Sequence, residues 1–142
     1  QLEGDVCVDT TSTFNLYLLN ASTWSGSASI EDNANGAISS APLGVYVDGS
    51  STWTVTANAR LSMLSVASGG RVVDADGNTV TVIAGGQTVV QGTSGVTVTV
   101  DGGYTSDFVM TSANELASET YDRSAFDEFF GTSTAWTMGQ VA

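Results

Sequence analysis

Short apolar runs alternate with turn residues along most of the chain, which is the pattern of an all-β protein. Nine runs are rich in Val, Ile, Leu, Thr and aromatic residues, the side chains that fit a pleated strand. Gly, Asn, Asp and Ser dominate the breaks between the runs, and these residues favour tight turns. The predicted strands cover residues 14–19, 24–30, 43–47, 53–57, 61–66, 71–73, 79–83, 87–91 and 96–100.

One part of the chain is an internal repeat. The letters LYLLNASTW recur 29 residues later as VYVDGSSTW, so that Tyr17 aligns with Tyr46 and Trp24 aligns with Trp53. Farther along the chain, apolar pairs recur about every 16 to 19 residues. Short strands at such spacing are typical of a β-solenoid, in which each coil buries its apolar face against its neighbours. A β-sandwich, which also has short strands at regular spacing, remains the alternative.

This interpretation divides the chain into three parts. Residues 1–12 are predicted to form an N-terminal strand or cap. Residues 13–111 are predicted to form the solenoid coils, with a polar loop at 31–42. Residues 112–142 are predicted to form a C-terminal capping segment.

The C-terminal segment differs from the coils because its pattern predicts a helix. Ser112 and Glu115 have the spacing of a capping box, which starts helices. Phe126, Phe129 and Phe130 recur at the spacing of one helical face. An open solenoid end exposes unpaired backbone, so we expect this segment to cover it.

The composition excludes several classes of function. The net charge is −12, with 15 Asp and Glu residues against three Arg and no Lys, so binding to nucleic acid or to an anionic membrane surface is not expected. The chain has no His, which removes Ser-His-Asp triads and His-ligated zinc. It also has no apolar run of the length that spans a bilayer, so no membrane insertion is expected. We therefore expect a protein that is not an enzyme.

Four sequence motifs resemble a known family. They are STWTVT at 51–56, VVDADGNTVTV at 72–82, VQGTSGVTVTVDGGY at 90–104 and DRSAFDEFFGTSTAW at 122–136. They resemble bacterial extracellular carbohydrate-binding proteins of the polysaccharide-lyase-like right-handed β-helix family. The resemblance implies a right-handed parallel β-helix that is secreted or held at the cell surface. It also implies a polysaccharide partner and, in some members, bound calcium.

Two aromatic residues at matching repeat positions are the candidate sugar-binding site. If Val45 and Val47 point inward, strand alternation turns Tyr46 outward, and the repeat turns Tyr17 outward as well. Sugar rings stack on exposed aromatic side chains, and Asp48 in the turn after Tyr46 completes the predicted carbohydrate-binding set. The alternative is a surface ladder that only braces the stack. The matching pair of Trp side chains in the repeat is expected inside the core.

Carboxylates in the turns are the candidate metal ligands. Asp74, Asp76 and Asn78 place oxygen atoms at alternate positions, which suits a possible Ca²⁺ site. The alternative is a plain turn closed by its own side chains, and the function requires no cofactor. Asp48 and Asp101 are expected in similar corners. The single cysteine, Cys7, is expected to be a small buried side chain.

The predicted function is a non-catalytic, extracellular or cell-surface domain that binds carbohydrate or acts in adhesion. The alternative is a self-assembling structural subunit of an extracellular filament or surface layer. Such a subunit would join through its solenoid ends, by strand addition at residues 5–9 or through the C-terminal segment.

Overall fold

The computed structural model describes residues 1–36, 38–108 and 124–133. The chain forms two compact units, Gln1–Phe108 and Val109–Ala142. The first unit holds the strands β1 (Leu2–Glu3), β2 (Val6–Asp9), β3 (Phe14–Leu18), β4 (Thr23–Gly26), β5 (Ala28–Glu31), β6 (Leu43–Val47), β7 (Thr52–Val55), β8 (Ala59–Val66), β9 (Arg71–Val73), β10 (Thr81–Ala84), β11 (Gln87–Val90) and β12 (Thr97–Thr105). The second unit holds the helix α1 (Ser124–Phe130).

The strands form three sheets. Sheet A has the order β1-β4-β7-β9, sheet B pairs β2 with β5, and sheet C has the order β11-β10-β12-β8-β6-β3. Along the chain, β1 to β6 visit sheets A, B and C in turn and then do so again. The paired strands run parallel, with the exception of β10 and β11. The described chain is therefore all-β with one short helix, which confirms the predicted class.

The sequence repeat coincides with the strand register. Tyr17 lies beside Tyr46 in sheet C, and Trp24 lies beside Trp53 in sheet A, both 29 residues apart as the repeat predicts. The next strands follow after 19 residues, since Val45 lies beside Leu64. Each repeat therefore places equivalent residues in neighbouring strands.

The core of the first unit consists of side chains that alternate along the strands and align from strand to strand. Trp24 and Trp53 are fully buried and stack with ring centroids 4.7 Å apart, as expected from the sequence. Their indole N–H groups donate to the carbonyl oxygens of Gly4 and Gly26, at 2.8 and 2.9 Å. These bonds satisfy the only polar atom of each buried ring. In the described residues, the other large apolar side chains that are fully buried are Leu43, Val45, Val47, Val55, Leu61, Leu64, Val80, Val98 and Val100.

At one end of sheet C, the order of the strands differs from their order in the sequence. Strands β10 and β11 form a hairpin, and the chain then crosses to the other side of β10, so that β12 lies between β8 and β10. Gly92 permits this crossing, since a Cβ there would collide with the backbone of residues 79–81. The prediction that Asp101 occupies a corner is wrong. Asp101 lies inside β12, where the register with β8 shifts, and it forms an ion pair with Arg60 at 2.9 Å.

Three further expectations have different outcomes. Helix α1 carries the predicted phenylalanine residues, and the rings of Phe126 and Phe130 lie 4.6 Å apart. The capping box of Ser112 and Glu115 lies outside the described residues. Cys7 was expected to be buried and is exposed, because Val6 and Val8 occupy the core-facing positions of β2 and alternation turns Cys7 outward.

Candidate functional site

The outer face of sheet C presents an aromatic pair. Tyr17 and Tyr46 point away from the core, because Val45 and Val47 on the same strand are fully buried. The two rings are parallel within 7°, and their centroids lie 4.4 Å apart. No sugar ring fits between them at that distance. The surface available for stacking is the outer part of the pair, and both side chains remain partly exposed.

A glycine and an asparagine shape the surface beside this pair. Gly44 lies under the Tyr46 ring, and a Cβ at this position would come within 2.9 Å of Tyr46 Cε2. It would also come within 2.5 Å of Asn15 Oδ1. Gly44 therefore allows the ring to lie back along the strand, and it brings the exposed Asn15 carboxamide close to the phenol. An aromatic surface with an adjacent amide is the usual composition of a site that orients a polar ring.

A third aromatic residue completes the cluster. After β12 the chain turns back over sheet C, and the Ser65 hydroxyl donates a hydrogen bond to the Asp107 carbonyl at 3.0 Å. The Phe108 ring then meets Tyr17 edge to face, with centroids 6.4 Å apart. Tyr17, Tyr46 and Phe108 together are called the aromatic cluster below. The sequence pattern did not reveal Phe108, because this residue follows β12 and belongs to no repeat.

The phenol groups of the cluster interact electrostatically. Partial burial raises the pKa of Tyr46, and the nearby Tyr17 phenol raises it further. Tyr46 is therefore uncharged at neutral pH, and its hydroxyl group can donate and accept hydrogen bonds. Neutral hydroxyl groups beside an aromatic surface suit an uncharged, hydroxyl-rich ligand.

Asp48 lies in the turn after Tyr46, where its carboxylate joins the two copies of the sequence repeat. Its oxygens accept hydrogen bonds from the backbone N–H groups of Asn20 and Ser50, at 2.7 and 2.8 Å. Desolvation raises the pKa of Asp48, but hydrogen bonds from Ser50, Asn20 and Ser51 outweigh it and hold the pKa at about 2. Because these contacts use the carboxylate to stabilise the corner, Asp48 contributes to the site by fixing the turn after Tyr46.

The same corner contains unusual backbone geometry. Asn20 and Ala21 both have positive φ angles, 55° and 61°, although neither is glycine. The backbone N–H of Ala21 donates to Ser50 Oγ, and the N–H of Ser22 donates to Ser51 Oγ. These hydrogen bonds to Ser50 and Ser51 compensate for the strain of the left-handed conformation.

The candidate calcium loop closes on itself. Asp74 Oδ1 accepts hydrogen bonds from the backbone N–H groups of Asp76 and Asn78, at 3.0 and 2.8 Å. Asp74 Oδ2 accepts from the Asn78 side-chain amide at 3.2 Å. Hydrogen bonds led by the Ser94 side chain lower the pKa of Asp74. A cation bound here would face amide hydrogens, so the loop does not fit a calcium site and instead has the geometry of a closed turn.

The other carboxylates of the described residues give no better metal site. Within residues 1–36, 38–108 and 124–133, no three Asp, Glu, Cys or His side chains are grouped so that they could hold a metal ion. In the same residues, no helix is long and apolar enough to cross a membrane.

Comparisons with known proteins add no relative. No family model, no curated protein and no solved structure matches the chain. The functional argument therefore rests on the residues and contacts described above.

Proposed function

We propose that the first unit is a right-handed parallel β-helix. The support is the parallel register, which stacks Tyr17 on Tyr46 and Trp24 on Trp53, together with the order in which β1 to β6 visit the three sheets. Buried residues of neighbouring coils lie in continuous rows, as a solenoid requires. Connections between parallel strands of one sheet are almost always right-handed, which favours this hand.

We further propose that this unit binds carbohydrate through the aromatic cluster. The observation that carries the proposal is a partly exposed aromatic surface on a rigid sheet, with the Asn15 amide and two phenol hydroxyls beside it. The C–H faces of a pyranose ring pack on such a surface, and its hydroxyl groups find polar partners at the rim. The parallel strands underneath keep the aromatic groups fixed before any ligand arrives, which limits the entropy lost on binding.

The charge of the chain narrows the ligand class. With a net charge of −12, the chain repels polyanions at low ionic strength. The Asp74 oxygens already accept hydrogen bonds within their own loop, so we propose no bridging cation there. We therefore favour a neutral polysaccharide over an acidic one.

The proposed activity is binding or adhesion without catalysis, outside the cell. The described carboxylates that have hydrogen-bond partners at the corners, Asp48 and Asp74, accept bonds from the backbone and hold turns in place. Such carboxylates are not paired across a substrate groove, as glycoside hydrolysis requires. A secreted or cell-surface location would bring the domain into contact with polysaccharides.

A glycan array carrying neutral and acidic polysaccharides tests the carbohydrate proposal. We expect the wild-type chain to bind neutral glycans, with the same result in calcium and in a chelator. Tyr17→Ala removes the ring that contacts both Tyr46 and Phe108 and is expected to abolish binding, while Phe129→Ala on helix α1 serves as the control. Retention of full binding by Tyr17→Ala, or loss of binding in the control alone, would contradict the proposal.

The alternative function, self-assembly into a filament or surface layer, is favoured by one observation. The outermost strands β1, β2 and β3 expose apolar side chains, among them Leu2 and Phe14. The net charge of −12 opposes association of identical chains unless salt screens it. Light scattering at low and high salt separates the two functions, since assembly predicts a mass that grows with salt and carbohydrate binding predicts a constant mass.

A further inference from the structure

The N-terminal edge of the first unit is formed by β1, β2 and β3. In the described chain each of these strands pairs on one side only, with β4, β5 and β6 respectively. An outermost strand leaves alternate backbone N–H and C=O groups without a strand partner. This edge therefore has the backbone groups needed to accept one more strand.

The apolar rows of the core reach the surface at this edge. Leu2 lies in register with Trp24, which is fully buried, yet Leu2 is 42% exposed. Phe14 lies in register with Leu43, also fully buried, and Phe14 is 43% exposed. The rows of sheets A and C therefore both end at this edge in exposed apolar side chains, Leu2 in sheet A and Phe14 in sheet C.

A groove of about 730 Å³ runs along β2 at the same edge. Its apolar lining comes from Val6, Val8 and Phe14, and its charged lining comes from Asp5, Asp9 and Glu31. None of the described residues that line it is Lys or Arg. The groove therefore combines an apolar floor with a purely acidic rim.

The positions of the charges along β2 are regular. Val6 and Val8 face the core side, and alternation places Cys7 and Asp9 on the opposite side. Asp5, directly before β2, also lines the groove. Asp9 lies in register with Glu31 on β5, so two carboxylates are neighbours in one row. The Asp9 carboxylate accepts hydrogen bonds from Thr11 and Asn33, which keep its pKa at about 2 and its charge fully present at neutral pH.

We propose that this edge binds an extended cationic peptide segment of a partner protein by strand addition to β2. Apolar residues of the partner strand lie beside Val6 and Val8, and Lys or Arg residues lie beside Asp5 and Asp9. The partner sequence therefore has the order basic, apolar, any residue, apolar, basic. This order is the same in both directions, so it suits a parallel or an antiparallel strand.

Charge complementarity selects this partner over a second copy of the chain. Each copy carries a net charge of −12, and contact between two such edges would bring the Asp9 and Glu31 rows against like charges. A basic strand instead neutralises the row that Asp9 and Glu31 form. This surface lies along sheet B, and its test is independent of the sugar-binding proposal.

The direct probe is a fluorescent synthetic peptide, Thr-Lys-Val-Thr-Val-Lys-Thr, titrated with the chain and followed by anisotropy. We expect saturable binding. Two matched peptides serve as controls, one with Glu in place of both Lys residues and one N-methylated on the amides that would face β2. Binding of either control as tight as that of the probe would overturn the proposal, because charge or backbone pairing would then be irrelevant.

The single cysteine reports where the peptide binds. Cys7 is exposed and lines the groove, so an added strand shields its thiol from alkylation by a maleimide. At a peptide concentration about ten times the dissociation constant, we expect the alkylation rate to fall about tenfold. A Cys7→Ser/Ser50→Cys variant carries its thiol on the remote corner and should show no protection. An unchanged Cys7 rate at saturation would refute the assigned position.

Charge-reversal variants distinguish the effect of the Asp9–Glu31 row on peptide binding from the effect of the net charge. Glu31→Lys reverses a charge in the row, and Asp32→Lys reverses the neighbouring exposed charge outside any strand. We expect Glu31→Lys to weaken peptide binding about fivefold more than Asp32→Lys does. Equal weakening by the two variants, or a doubled mass of the free chain in light scattering, would overturn the proposal in favour of general attraction or of a second copy.

Discussion

At the residue scale, contacts between neighbouring strands explain why particular small residues occupy their positions. A Cβ on Gly26 would collide with the Gly4 carbonyl and lie 2.8 Å from the Trp24 indole nitrogen. The same indole nitrogen donates its hydrogen bond to that carbonyl. The absence of a side chain at Gly26 therefore allows the close approach of the Gly4 backbone and the hydrogen bond of the buried Trp24 ring.

Gly26→Ala is predicted to destabilise the first unit strongly. The added methyl group would push the Gly4 backbone away and break the Trp24 hydrogen bond. We expect the free energy of unfolding to fall by about 3 kcal/mol. Thermal denaturation should show a loss of about 10 °C in Tm. The matched control is Gly95→Ala, where a Cβ meets nothing within 4 Å and no positive φ is required. Equal losses of Tm in the two variants would mean that the close contact of Gly26 with Gly4 is not the cause.

The Asp48 corner makes a prediction about pH. The pKa of Asp48 is about 2 in the folded chain, below the ordinary value of 3.8, so its ionised form stabilises the fold. The sign follows from linkage: this stabilisation is complete above about pH 4 and is lost as the pH falls toward 2. Asp48→Asn should therefore lower the Tm at neutral pH and reduce the further fall between pH 4 and pH 2.

The control for this experiment is a carboxylate without the same contacts. The Asp76 side chain accepts no hydrogen bond within the described residues, so Asp76→Asn should leave the acid branch of the Tm profile unchanged. If Asp76→Asn flattened the profile as much as Asp48→Asn, the corner hydrogen bonds would not explain the acid sensitivity.

At the element scale, sequence alternation predicts strands and their faces well wherever the sequence repeats. The match of Tyr17 with Tyr46 and of Trp24 with Trp53 anticipates the parallel register, because equivalent residues lie side by side when the strands of the two repeats pair. The bounds of β6 and β9 also agree with the prediction. The strands of the repeat could be predicted because each copy pairs with the other copy, and both copies are visible in the sequence.

Other elements were not predictable, and the reason is physical. The insertion of β12 between β8 and β10 depends on a chain crossing at Gly92, which local patterning does not encode. The shift near Asp101 extends β12 through a segment that has the composition of a turn. Phe108 joins the aromatic cluster only because the chain folds back over sheet C after β12 ends.

The alternation of β12 predicts opposite outcomes for two adjacent positions. Val98 is fully buried and Thr99 is exposed, so Val98→Asp would bury an unpaired charge while Thr99→Asp would leave it in water beside Arg60. Val98→Asp should cost about 4 kcal/mol or more, and Thr99→Asp less than about 1 kcal/mol. Denaturant melts of the two variants measure this difference, and equal midpoints would contradict the assigned faces of the strand.

At the scale of the whole molecule, the charge and the sheet surfaces set the two proposed modes of binding. The aromatic cluster on sheet C suits a neutral, hydroxyl-rich polymer, while the acidic groove along β2 suits a cationic strand. Two such surfaces would let one small domain hold a polysaccharide and a partner protein together. The net charge of −12 keeps identical chains apart at low salt, which fits a binding domain better than a filament subunit.

The most direct test of the central claim is an NMR titration. The chain carries isotope-labelled tyrosine, neutral oligosaccharides are added, and the signals of the tyrosine rings are recorded at each step. The chain has four tyrosines, and they differ in environment: Tyr17 and Tyr46 are in the cluster, while Tyr104 packs against the core. The account predicts that cellohexaose or xylohexaose shifts the signals of Tyr17 and Tyr46 in a saturable way and leaves that of Tyr104 in place. Unchanged cluster signals with every oligosaccharide, or equal shifts at Tyr104, would contradict the claim that the aromatic cluster is a sugar-binding site.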